Sequence, residues 1–390
     1  MKKIILLIIA ISISIGAIAQ KGKVTAAQSF IDQGALDKAK EAIDQALTNE
    51  KSNTWSNTFF TKGNLCRAIY DADNPAYNSF YADPLAEAYA SYEKAMELDP
   101  KGGIKKKIIA QLIYNSMVGQ LSSQGAKKFE AKDFEGAFNS FITQVKITES
   151  GMYAGNVDTG MYFNTALAAI NAKKFNEAIK YFEKCAEMKY LGLTPYLQIS
   201  QCYLGLGDTA KAENYLLNLK DKFPEDNNVF ITIADFYLKS NRPIEALNYI
   251  EISKKKDPSN YGLYYAAGVT YLNQNRFDEA IADLTKSVEL KSDLYESQYA
   301  LGASYINKAA AMLLKANDEM DINKFNVLFN EANNVYAQAI PYMEKALELK
   351  PDDIYTMKSL GELYYRLKAT GNNLEKYNAI KARISAIENK

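Results

Sequence analysis

The sequence predicts an all-α fold built as a row of antiparallel helix hairpins, and three ranks of residues predict it. Ala178, Ala212, Ala246 and Ala280 stand 34 residues apart. Tyr203, Tyr237, Tyr271 and Tyr305 keep that interval, and so do Tyr162, Tyr196, Phe230 and Tyr264. Three ranks in one phase are a repeat, and a repeat of this length signals one supersecondary unit stacked many times. Within a unit the apolar positions recur at three and four, as in Tyr264, Ala267, Gly268 and Tyr271, so each unit reads as two amphipathic helices. Gly207-Asp208, Asn241-Arg242 and Asn275-Arg276 mark the turn between the two helices, while Pro224 and Pro258 mark the exit from the second.

Composition narrows the function. The 390 residues are 48% apolar and 24% charged, as in an ordinary folding chain. The sequence has no histidine, which excludes a histidine-containing catalytic triad, a histidine zinc ligand and a histidine-ligated haem. Three cysteines cannot make a four-cysteine zinc site. Forty-six basic residues against forty-six acidic ones give no net field to gather nucleic acid or an anionic membrane. No P-loop, dinucleotide fingerprint or distinctive carboxylate pair is present, so neither catalysis nor a cofactor or metal is expected.

The first residues read as an address. Met1-Lys2-Lys3 gives a positive start, Ile4 to Ile15 is an apolar run, and Gly16-Ala17-Ile18-Ala19 offers a small-x-small pattern, so cleavage is expected after Ala19. The run is about a dozen residues against the roughly 20 a spanning helix needs, which makes a retained anchor the weaker reading. No cysteine lies near the cleavage point to carry a lipid. The expectation is therefore an exported protein, periplasmic or secreted, with no transmembrane segment in the mature chain.

Leu301-Gly302 with Tyr305, and Leu360-Gly361 with Tyr364, form one recurring half-pattern; Ala88, Tyr92, Ala95 and Pro100, like Ala339, Met343, Ala346 and Pro351, form another. Together they resemble the two helices of the tetratricopeptide repeat. The resemblance implies a right-handed α-solenoid with a concave face, acting by protein–protein binding. Following the second-helix alanine through Ala39, Ala88, Ala137, Ala178, Ala212, Ala246, Ala280 and Ala339 predicts eight units and a closing helix pair. Inserts of about 15, 15, 7 and 25 residues lengthen the flanking units. The expected organisation is a signal peptide at 1–19, irregular units at 20–150, regular units at 151–310, and an extended hairpin, last unit and cap at 311–390.

The inserts hold the remaining candidates. The stretch 71–84 carries two prolines with Tyr77, Phe80 and Tyr81, and reads as an irregular loop before a helix starting at Pro84. Its aromatics either pack over a hydrophobic edge or face a partner or glycan; the single tryptophan, Trp55, weakens the glycan version, although 28 tyrosines could substitute. The insert before Ala339 should lengthen both helices of a hairpin. Lys105-Lys106-Lys107 should open one long helix over about 104–131. Cys66 and Cys185 fall on packing ranks and read as small buried hydrophobes, while Cys202 lies one unit on, where pairing with Cys185 stays open.

In the family it resembles, the residue after the first large aromatic of each first helix tends to line the groove. Here that rank is Phe163, Leu197, Ile231, Tyr265 and Tyr299, apolar throughout, and the next is Leu167, Gln201, Asp235, Val269 and Ala303. Neither holds the basic residues that clamp a partner's terminal carboxylate in cochaperone relatives. An apolar groove suits a protein or peptide segment held by side-chain burial; the competing reading buries the rank inside the stack. A receptor for a glycan, peptide or other small ligand is the alternative function.

Overall fold

The hairpins turn where one residue takes the left-handed conformation: Gly34, Lys132, Lys173, Gly207, Asn241 and Asn275 have φ between 56° and 77°. Glycine does this without steric cost, and asparagine is helped by its short polar side chain. Helix starts are fixed by side-chain caps. Asp133, Asp158, Asp226, Asn260, Asp321 and Asp353 each accept a backbone N–H from the first helical turn that follows.

The computed structural model describes residues 21–388, so the leader and the cleavage point after Ala19 lie outside the described residues. The chain divides into two compact units, with the boundary in sequence between Ala212 and Glu213. The first begins with helix 21–32 (α1), then α2 (Leu36–Leu47), α3 (Ser56–Ala72), a 3-10 turn at Pro75–Tyr77, α4 (Pro84–Glu97), α5 (Gly103–Ala110) and α6 (Ile113–Glu130). It continues through α7 (Phe134–Glu149), α8 (Thr159–Asn171), α9 (Phe175–Glu187), α10 (Thr194–Gly205) and the start of α11 (Thr209–Lys222). The second holds the rest of α11, α12 (Asn227–Lys239), α13 (Pro243–Lys256), α14 (Tyr261–Asn273), α15 (Phe277–Leu290), α16 (Tyr295–Asn317), α17 (Ile322–Leu349), α18 (Ile354–Arg366) and α19 (Asn373–Glu388). No strand occurs among the described residues.

Within each unit the helices pair as hairpins, and each hairpin packs on the next, which is the solenoid construction the repeat predicts. All eight second-helix alanines have 0% exposure. Where the opposing helix carries a glycine, as at Gly63, Gly125, Gly268 and Gly302, the two helices of a hairpin approach closely. A Cβ on Gly268 would lie 2.5 Å from the Leu284 side chain, and one on Gly302 would lie 2.8 Å from Met343. At Gly361 the nearest atom, on Ile380, would be 3.5 Å away, so there the packing is ordinary.

The insert before Ala339 does lengthen its hairpin: α16 has 23 residues and α17 has 28. The basic segment departs from expectation. The single helix over 104–131 is two, broken at Leu112, whose φ is 51°. The buried positions give the reason. Ile104 and Ile108 are followed by Ile113, Met117 and Leu121, so the apolar stripe slips by one residue. A continuous helix would turn one half of it away from the core shared with Leu85, Tyr92 and Tyr114.

Candidate functional site

Phe163 on α8 and Leu197 on α10 belong to the first unit; Ile231 on α12, Tyr265 on α14 and Tyr299 on α16 belong to the second. All five are half-buried. Four of them, Phe163, Ile231, Tyr265 and Tyr299, are held from behind by neighbours in their own unit. The Phe163 ring stands edge-on to Phe182 at 5.7 Å and to Tyr190 at 6.0 Å. Ile231 packs on the cluster of Leu247, Ile250 and Leu263, and Tyr265 on that of Ala280, Leu284 and Leu301. Tyr299 stacks on Tyr295 at 5.8 Å. Burial pushes the Tyr265 hydroxyl above its ordinary pKa, so it stays a neutral donor in the physiological range.

In the next rank Leu167, Val269 and Ala303 are half-buried while Gln201 and Asp235 are exposed, with Asp235 paired to Lys239 at 2.7 Å. Beside Leu167 the first helices α6 and α8 leave a notch of about 180 Å³, lined by Ala126, Phe129, Phe141 and Leu167 with Glu130 and Asn164. Sequence reasoning missed the α6 side of this notch. The insert between α6 and α8 takes Ala126 and Phe129 out of the 34-residue phase, so no rank points to them.

The aromatic loop packs inward. Tyr77 and Phe80 lie with ring centroids 5.3 Å apart against the cluster of Leu36, Ile43, Leu65 and Ile69. Tyr81 bridges that cluster and the one around Tyr92, with Lys40 Nζ 5.2 Å above its ring. Its hydroxyl is buried beside the Cys66 thiol and has no nitrogen or oxygen partner. Burial pushes the thiol up to about 12, so Cys66 is an unreactive neutral group. Cys185 and Cys202 are likewise free and buried, raised to about 11 and about 12 by burial. Among the described residues no group of three or more metal-ligating side chains comes together, and no helix is long and apolar enough to cross a membrane.

Stacked hairpins, zero-exposure alanines at every crossing and half-buried apolar residues along the first helices define a helical-repeat protein. The tetratricopeptide repeat model matches residues 159–190, 193–219, 261–294 and 331–353, so these stretches are similar to that repeat. The α12–α13 hairpin keeps the same 34-residue phase outside those matches. No curated protein matches the chain.

Among solved structures, MamA from Desulfovibrio magneticus RS-1 is 17% identical, covering 50% of this chain and 97% of its own with a TM-score of 0.37. YrrB, described as a repeat protein with an unusual peptide-binding site, is 17% identical over 52% of this chain and 91% of its own, with a TM-score of 0.36. MamA of MSR-1 is 18% identical over 50% of this chain and 98% of its own, with a TM-score of 0.35. Likenesses this distant say nothing about a shared partner.

Proposed function

We propose that the chain is a non-catalytic scaffold that holds a segment of a partner protein against the apolar residues of its first helices. We further propose that it works outside the cytoplasm, in the periplasm or beyond the cell, once residues 1–19 are removed. The observation that carries the binding role is the half-burial of Phe163, Leu197, Ile231, Tyr265 and Tyr299. Side chains already fixed by neighbours yet partly open to water lose little conformational entropy when a partner covers them. The notch beside Leu167 supports the same reading, being large enough for one apolar side chain of the partner.

The test is capture of binding proteins from envelope extract by the mature chain, followed by titration of the captured protein against Phe163→Ala and Tyr265→Ala. Each variant should lose at least about 2 kcal/mol of affinity, as an interface hot spot does. Each should remain folded, with a stability loss below the ~3–5 kcal/mol of a fully buried ring. Unchanged affinity in both variants would remove the groove reading.

A further inference from the structure

A cavity of about 450 Å³ opens beside the loop that joins α3 to α4, wholly inside the first unit. Its size falls within the roughly 300–1,000 Å³ of small-molecule sites. Tyr70, Tyr77 and Tyr81 line it together with Ile69. The rings are fixed in advance: Tyr70 donates to the Gln120 carbonyl oxygen at 3.3 Å, Tyr77 leans on Phe80, and Tyr81 is anchored between two core clusters.

The polar lining is mixed. Asp71 and Asp73 supply carboxylates, Lys127 an ammonium, and Asn74 and Asn78 amides that both donate and accept. Two of these are already oriented. Gln120 Nε2 donates to Asp71 Oδ1, and Asn74 Oδ1 accepts the Ala76 N–H at 3.0 Å. Asp73 closes α3 in the left-handed conformation, with φ of 43°, and so directs the chain into the loop.

This chemistry selects its ligand by exclusion. Two carboxylates repel an anion, and Lys127 offsets one of them, so the lining gives an organic cation little net hold. A purely apolar molecule would desolvate the acids and amides without replacing their hydrogen bonds. A polyhydroxylated ring satisfies both halves of the lining: adjacent hydroxyls meet acceptors and donors, and its C–H face lies against tyrosine. We propose that the cavity is a saccharide site sized for one or two sugar rings, separate from the partner strips on the first helices.

The probes are glucose, galactose, mannose, N-acetylglucosamine, maltose, cellobiose and chitobiose, each titrated into the purified mature chain by saturation-transfer NMR and calorimetry, with choline as a parallel arm. At least one sugar should bind with a millimolar or tighter constant. That binding should weaken about tenfold in Asn78→Ala and in Asp73→Asn, each of which removes a hydrogen bond or a charge from an exposed residue. Asparagine tolerates the left-handed position, so both variants should melt with the parent; Tyr77→Ala should abolish binding. Absence of binding by every sugar, binding that survives all three variants, or binding of choline alone would each overturn the proposal.

Discussion

The regular hairpins α8–α15 and the elaborated hairpins α1–α7 solve the same packing problem with different material. In both, the second-helix alanine has 0% exposure. In the regular part Gly268 sits under the aliphatic Leu284, whereas in the elaborated part Gly63 lies under Tyr92 and Gly125 under Phe141, and each added Cβ would come within 2.5 Å of its neighbour. The elaborated part also carries a polar network, Lys128 to Asp83 at 2.6 Å and Ser140 to Gln124 at 2.7 Å. Helix crossings therefore tolerate any side-chain size opposite them, provided one partner is small. Inserted residues are taken up away from the crossings, in the loop between α3 and α4, in the extra helix α5 and in the lengthened α16–α17 hairpin.

The strongest way to break this comparison is to empty a core on each side. Phe182→Ala and Tyr92→Ala, both fully buried, should each cost about 3–5 kcal/mol in urea denaturation. A much smaller loss at Tyr92 would mean that the elaborated hairpins are not packed as the regular ones are. Filling the crossings comes next: Gly268→Ala and Gly63→Ala should each destabilise by about 1–3 kcal/mol through overpacking. Gly361→Ala, where there is room, should instead stabilise by up to about 1 kcal/mol because alanine favours the helix. Thermal melts of the three variants decide this.

A smaller effect should separate the turns. Lys132 and Lys173 hold left-handed backbone where Gly207 serves another hairpin, so Lys132→Gly and Lys173→Gly should each raise stability by about 1 kcal/mol. Asn241→Gly should change little by the same measurement.

The smallest effect lies where the two regions meet. Glu149 at the end of α7 accepts from the Tyr162 hydroxyl at 2.9 Å and pairs with Lys184. Burial alone would raise its carboxyl, but the bonds from Lys184 and Tyr162 outweigh that and hold it below its ordinary 4.5. A lowered folded-state pKa contributes stability above the unfolded value, and that contribution is lost as pH falls through the folded value. Acid titration of stability should therefore be shallower in Glu149→Gln below about pH 4.5, by a modest amount because the pair is partly exposed.

The periodic signal reached the alanine positions, the hairpin turns at Gly207, Asn241 and Asn275, and the long hairpin before Ala339. It failed where geometry is not carried by residue type. Lys132 and Lys173 take a conformation that lysine does not advertise, and the break at Leu112 shows only as a one-residue slip between Ile108 and Ile113. The site was legible in part. Apolar ranks on first helices follow from spacing, whereas the notch between α6 and α8 and the cavity beside Tyr77 join residues that inserts separate in sequence.

The closing pair is unequal: α18 buries Thr356, Met357, Leu360, Gly361, Leu363 and Tyr364, while α19 buries Ile380 alone. With one buried side chain, and Tyr377, Ile384 and Ile387 only half-buried beside it, α19 is the segment of the closing pair whose amides should trade their protons for deuterons sooner. A protease able to trim it would leave the preceding hairpins their own hydrophobic interfaces, so loss of this last helix wears the array back from one end without dissolving it.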